Sequence, residues 1–485
     1  MRAPTMMRRF RTLPALLVLL TGIGACDQFD LTGVENPNLT DEDFLKTPDA
    51  AATWLRGVER TFMQTLDDLV VNGEIASDNY FNNYTTLTKV FDLPRLDHHD
   101  EDVRALQQSV GRLREAATFG LDRVLEADPA STEEQEAEFL FYRAMARIFS
   151  GEYFTALPAA DRGEVLDAAA HLNAALEDLE RARTLTADEA RRTGYTLAMA
   201  RAHYRLGNPS QAVSAATQVL AADPDFVRTA DYDGVTGPGN SMQGLLTGST
   251  NNLQPLPRLD FLDPKFPNRG PQIESAQAFL KAEEAHLILA EAALASGGVE
   301  SARSQLLELR SLVASRPVEE VDSRLQERGR RGGAVIYPNR STDRVAFEPG
   351  EPFVEGLILD RSPDPVQVST VSGTSVTAER IESAANESEL LYLLYLMRQE
   401  IFLGEGRRVV DLGLRYPLSF AEVQVNSNAV AGEWYTEARI PSFIPLDGGM
   451  DRFDYDETNG TVVIHHDMNR ILVENRSSTE VLPFH

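Results

Sequence analysis

The chain has one cysteine, Cys26, and two tryptophans among 485 residues. A monomer therefore forms no disulfide, and beyond Cys26 there is no thiol to act as nucleophile or metal ligand. Basic residues are also scarce: 46 Lys and Arg face 74 Asp and Glu, a formal net charge of −28. Nucleic-acid binding needs clustered Lys and Arg to neutralise phosphates, so nucleic acid is excluded as a partner. The common enzyme signatures are missing: there is no HExxH, no GxSxG, no GxxxxGK[ST] and no GxGxxG after a strand. No enzyme and no cofactor is expected. Disorder is excluded by 42% hydrophobic residues.

What the chain does contain is a helical repeat. Tyr195–Pro224 reads as two helices around a tight turn. Leu197, Ala200, Arg201 and Tyr204 recur at three- and four-residue steps, Gly207-Asn208-Pro209 breaks the ladder, and Ala212, Val213, Ala216, Val219 and Leu220 share one face. Small Ala200, turn Gly207, small Ala212 and terminal Pro224 resemble the tetratricopeptide pattern. Ala290, Gly297 and Ala302 repeat the spacing within Ala278–Leu312. A weaker third copy begins at Ala144 and Gly151, with its second helix over about Val165–Leu185. One such unit cannot bury its own apolar face, so the units must stack. The fold expected is mainly α: a tetratricopeptide-like helical-repeat body with long loop-rich insertions and few short strands.

The N-terminus reads as a targeting segment. Arg2, Arg8, Arg9 and Arg11 precede the apolar run Leu13–Leu20, which is too short to span a bilayer. Ile23-Gly24-Ala25-Cys26 follows and resembles the bacterial lipobox, which makes Cys26 the expected lipidation site. Residues 1–25 are then the lipoprotein signal peptide. Cleavage removes four arginines and no acid, taking the charge from −28 to −32.

Residues 26–47 read as a lipid-anchored tether. The repeat region covers 48–312, with a Gly-, Pro- and Asn-rich insertion at 226–271 that is too long for a simple connection. Residues 313–485 form a loop-rich C-terminal region packed on the repeats. It contains the apolar helix Ser388–Leu403, the run Glu405–Asp411 and short strand-like pieces such as Val366–Val371 and Thr461–His465. Arg408 and Asp411 lie three apart and can pair across a helical turn. Two histidine pairs, His98-His99 and His465-His466, carry no metal expectation, because neighbouring side chains on a helix or strand point apart. Asp451, Asp454, Asp456, Asn459 and Gly460 faintly resemble a calcium loop, but the glycine falls one residue late for an EF-hand. Asn72–Asp97 mixes rings, amides and acids, the chemistry a neutral glycan needs. Its candidate ligand residues are Asp78, Asn79, Tyr80, Asn83 and Tyr84, joined by Trp434 from the late loops.

Several motifs together resemble the SusD/RagB family. They are the lipobox at Cys26, the helix Leu287-Ile288-Leu289-Ala290-Glu291-Ala292, and Arg398-x-Glu400 followed by Glu405-Gly406-x-Arg408-x-x-Asp411-Leu412. Split proline pairs at Ile440-Pro441 and Ile444-Pro445 add a weak match. The resemblance implies a surface-exposed lipoprotein of the outer membrane, anchored in the membrane by its lipid. It implies a nutrient ligand, glycan or oligosaccharide or else peptide. The implied partner is a TonB-dependent, SusC-like outer-membrane transporter. The alternative is a helical-repeat scaffold lipoprotein that binds other envelope proteins.

Overall fold

Amphipathic periodicity and good caps set the helices, and the helices set the architecture. The structure is a computed structural model that describes residues 44–82, 90–248, 253–322, 336–360, 365–480 and 484. The chain divides into two units, Met1–Thr47 and Pro48–His485. In the first, the Thr47 hydroxyl donates to the Phe44 carbonyl at 2.6 Å; Cys26 and the lipobox lie outside the described residues. All that follows concerns the second unit.

Eight helices form a serial array: α1 (Ala50–Ile75), α2 (Glu101–Phe119), α3 (Glu133–Tyr153), α4 (Ala168–Leu185), α5 (Glu189–Arg205), α6 (Pro209–Ala222), α7 (Ala282–Ala295) and α8 (Val299–Ser315). Each packs against the next in order. Side-chain caps mark several starts: Asp100 at α2, a Thr132/Gln135 capping box at α3, Asp167 at α4 and Asp188 at α5. Each satisfies backbone N–H groups that the first turn leaves unpaired. At α6 Pro209 occupies the first turn instead, where its missing N–H costs nothing.

The repeat reading holds at the contacts it named. Ala200, Ala212, Ala290 and Ala302 are all fully buried. Gly207 and Gly297 close α5 and α7 with φ of +70° and +78°, a conformation glycine adopts without strain. The third copy differs. Gly151 is no turn residue; it lies inside α3, and a Cβ there would stand 2.8 Å from Leu172 Cγ and 2.9 Å from the Ala168 carbonyl. It lets α3 and α4 approach closely. Between them Ala156–Pro158 (β2) pairs antiparallel with Val165–Asp167 (β3), so α4 starts only at Ala168.

The insertion at 226–271 is stitched to the array by two ribbons. Val227–Ala230 (β4) pairs antiparallel with Gln277–Lys281 (β6), and Tyr80–Asn82 (β1) pairs with Leu253–Pro255 (β5) in the register Tyr80↔Pro255. In the C-terminal region Val318–Val321 (β7) pairs with Val366–Ser369 (β9) over a small core of Val321, Val366 and Val368. Thr461–Ile464 (β11) lies between Phe453–Asp456 (β10), antiparallel, and Arg344–Ala346 (β8), parallel. The apolar helix α9 (Glu387–Ile401) packs on α7 and α8, and α10 (Arg408–Asp411) and α11 (Met468–Glu474) follow it. The main apolar core runs continuously from Val58 to Val473. Among the described residues no helix is long and apolar enough to cross a membrane. The basic run Arg324, Arg328, Arg330 and Arg331 lies outside them.

Candidate functional site

Three of the expected ligand residues have another task. Asp78, Asn79 and Tyr80 are each 0% exposed, so they present no surface to a ligand. The Asp78 carboxylate accepts both Nε and Nη2 of Arg408 at 2.5 and 3.0 Å, and Arg258 and Gln399 reach it at 3.4 and 2.9 Å. Asn79 donates to Glu74 at 2.8 Å and accepts from Gln399 at 3.0 Å. Tyr80 is held in β1. Asn83 and Tyr84 lie outside the described residues. Trp434 is 58% exposed and meets Tyr435 edge-on at 5.6 Å.

The pairing expected between Arg408 and Asp411 is also corrected. Arg408 turns to Asp78, while Asp411 accepts Arg398 at 2.9 Å and Arg205 at 2.7 Å. The short α10 directs these side chains to different partners. The chain of pairs continues outward: Arg205 and Arg201 both bind Glu152 of α3, Arg407 binds Glu284 of α7, and Lys281 binds Glu405. Burial alone would raise the Asp411 and Asp78 carboxyls. The guanidiniums of Arg398 and Arg205, and of Arg408 and Arg258, outweigh it and hold both below the usual carboxylate range. Glu152 is likewise brought down to about 2, burial being outweighed by Arg201 and Arg205. Gly406 completes the arrangement. Its φ is +70°, and a Cβ there would stand 2.9 Å from Val70 Cα. The bare backbone therefore reaches α1, where Gly406 N donates to Glu74 at 2.7 Å, and Tyr153 donates to its carbonyl at 3.0 Å. The motif is a buried clamp that ties the C-terminal region to α1, α3, α5 and α7.

Open concave space lies elsewhere. A cleft of about 620 Å³ is lined by Phe261, Phe347, Tyr392, Arg380, Glu355 and Thr377, among others. Tyr392 projects from α9, where its hydroxyl donates to Asp467 at 2.7 Å and Arg470 covers its ring at 5.3 Å. Burial and the Asp467 carboxylate hold that phenol well above its usual range, so it stays a neutral donor. Arg380 lines the cleft and is exposed. Sequence reasoning missed this cleft because its walls come from distant segments, and Tyr392 sits in a helix whose composition signals only burial.

The metal expectations also meet the structure. His98 and His99 do not point apart: they lie in a turn, both rings rest on Phe420, and their ligand atoms and Asp97's lie within 4.8 Å of one another. The calcium-like run forms the β10–β11 hairpin. Asp456 accepts the Thr458 and Asn459 amides at its turn, and Asp454 pairs with His465 at 2.9 Å.

Neither a protein-family model nor a curated protein sequence matches the chain. Solved structures do. A SusD superfamily protein from Bacteroides thetaiotaomicron superposes with a TM-score of 0.52 at 13% identity, covering 81% of this chain and 99% of its own. A protein from Bacteroides vulgatus, described as sugar binding, gives 0.50 at 14% identity over 80% and 98%. A SusD-like protein from Bacteroides fragilis gives 0.50 at 11% identity over 77% and 87%. These superpositions show that the chain has the SusD-like fold.

Proposed function

We propose that the chain is a surface-exposed outer-membrane lipoprotein, anchored through Cys26, that binds a nutrient glycan and delivers it to a partner TonB-dependent transporter. The observation that carries this is the SusD-like fold, which spans 99% of the Bacteroides thetaiotaomicron neighbour. The sugar-binding description of the Bacteroides vulgatus neighbour supports carbohydrate as the ligand class. We assign the ligand to the Tyr392 cleft. The rings of Phe261, Phe347 and Tyr392 would pack on sugar C–H groups, and Arg380, Glu355 and Thr377 would replace the hydrogen bonds that sugar hydroxyls give up to enter. Trp434 remains a proposed further contact, as do Asn83 and Tyr84 from sequence. The protein is a binder in this scheme, not an enzyme.

Two experiments test it. The chain from Asp27 onward, probed on an oligosaccharide array, should retain at least one glycan class; retention of none overturns the glycan assignment. In cells a Cys26→Ala variant should lose its lipid and leave the membrane fraction. If it fractionates like wild type, the anchor is elsewhere.

A further inference from the structure

A second cavity, of about 480 Å³, lies between α1, α3, the start of α5 and the β4–β6 ribbon. It shares no lining residue with the Tyr392 cleft. Its base is aromatic: Phe62 meets Tyr142 at 5.2 Å and Phe279 at 4.8 Å between ring centroids. Its walls carry the carboxylates of Glu59, Glu138, Asp188 and Asp231 against the guanidiniums of Arg191 and Arg228.

All but one of these charges has a partner in the fold. Glu138 accepts the Tyr195 hydroxyl at 2.5 Å and Arg228 at 2.7 Å, and Arg228 also stacks on Phe141 at 4.1 Å. Arg191 pairs with Glu134 at 3.1 Å. Asp188 caps α5, and Asp231 accepts the Thr229 hydroxyl at 2.9 Å. Glu59 is left over. It is half-buried and makes no side-chain hydrogen bond or ion pair among the described residues. Burial first, and the Glu138 charge second, raise its carboxyl above the usual range, against the opposing charges of Arg228, Arg191 and Arg56.

We propose that Glu59 anchors a second ligand site, which takes the ammonium group of a free amino sugar. An ammonium supplies the charged donor that the Glu59 carboxylate lacks, and such charge-assisted bonds are the stronger kind. Arg228 already lies over the Tyr142 and Phe279 rings at 6.0 and 5.9 Å, so the attraction between a cation and an aromatic face is left to Phe62. A sugar ring suits the rest of the lining, which includes apolar Met63, Phe226 and Ala230 beside polar Thr229 and Asp231. The volume falls inside the range of roughly 300–1,000 Å³ usual for small-ligand sites. The inference does not depend on the Tyr392 assignment.

The test is calorimetric titration of the intact chain with glucosamine, glucose, N-acetylglucosamine and lysinamide. Glucosamine should bind about tenfold more tightly than either neutral sugar, the scale of one hydrogen bond to a charged group. Glu59→Gln should erase that preference. Met63→Lys, which puts a tethered ammonium one helical turn from Glu59, should block glucosamine while the melting temperature is kept; it carries the test if Glu59→Gln does not fold. Equal binding of glucose, no heat with glucosamine, or an unchanged preference in a folded variant would each overturn the site. Lysinamide binding without glucosamine binding would overturn the sugar assignment.

Discussion

Replacing Asp78 by Ala should be among the most damaging single changes in the chain. Asp78 is fully buried and holds Arg408 by two bonds, with Arg408 2% and Arg258 1% exposed in their side chains. Removing the carboxylate leaves two cations in a medium that solvates them poorly. Breaking a buried pair from one side costs about 3–5 kcal/mol, against about 0–1 kcal/mol for a surface pair. The lost carboxylate–Gln399 bond adds to this. Urea unfolding followed by circular dichroism reads the effect as a lower midpoint at unchanged slope. The double variant Asp78→Leu/Arg408→Met, which removes one charge of each sign, should lose less than Asp78→Ala alone. The pH dependence has a fixed sign. Asp78 titrates lower folded than unfolded, so its contribution is present above the unfolded carboxylate pKa and is lost as pH falls through the folded value. A loss below about 1 kcal/mol for Asp78→Ala would refute the clamp.

Two further predictions concern the repeats. Ala212→Phe should overpack the α5–α6 contact and cost about 1–3 kcal/mol in an unfolding curve; an unchanged midpoint would count against the repeat contacts. Burial raises the Glu291 carboxyl to about 7 from an ordinary 4.5. The folded state therefore holds that proton more tightly, and the stabilisation is full below the unfolded value and lost as pH rises through about 7. Glu291→Gln, which still accepts the Tyr204 hydroxyl, should gain stability relative to wild type as pH rises over that interval; melting temperatures of both proteins across it check the sign.

Much of the fold was legible because it is local. Three- and four-residue periodicity marked α5, α6, α7 and α8, and the alanines at their contacts are small for a reason that sequence spacing reveals. The candidate site was less legible because burial is not local. Asp78 stands 330 residues from Arg408, and a carboxylate beside amides and tyrosines looks the same in sequence whether it faces a sugar or a guanidinium. The same distance hid the true partners of Arg408 and Asp411, which spacing alone paired with each other. Gly151 misled for a different reason: a glycine needed for close helix approach and one needed for a left-handed turn are the same letter. Trp434, alone among the described candidates, kept an exposed ring.

The glycan-binding claim is tested most directly by titrating the tightest-binding array oligosaccharide into wild type, Arg380→Ala and Trp434→Ala, with a melting curve for each. Arg380 is exposed, so its replacement leaves the core intact. The account predicts that Arg380→Ala weakens binding at least about tenfold, the loss of a charged hydrogen bond, at an unchanged melting temperature. Wild-type affinity in Arg380→Ala would contradict the assignment of the ligand to the Tyr392 cleft.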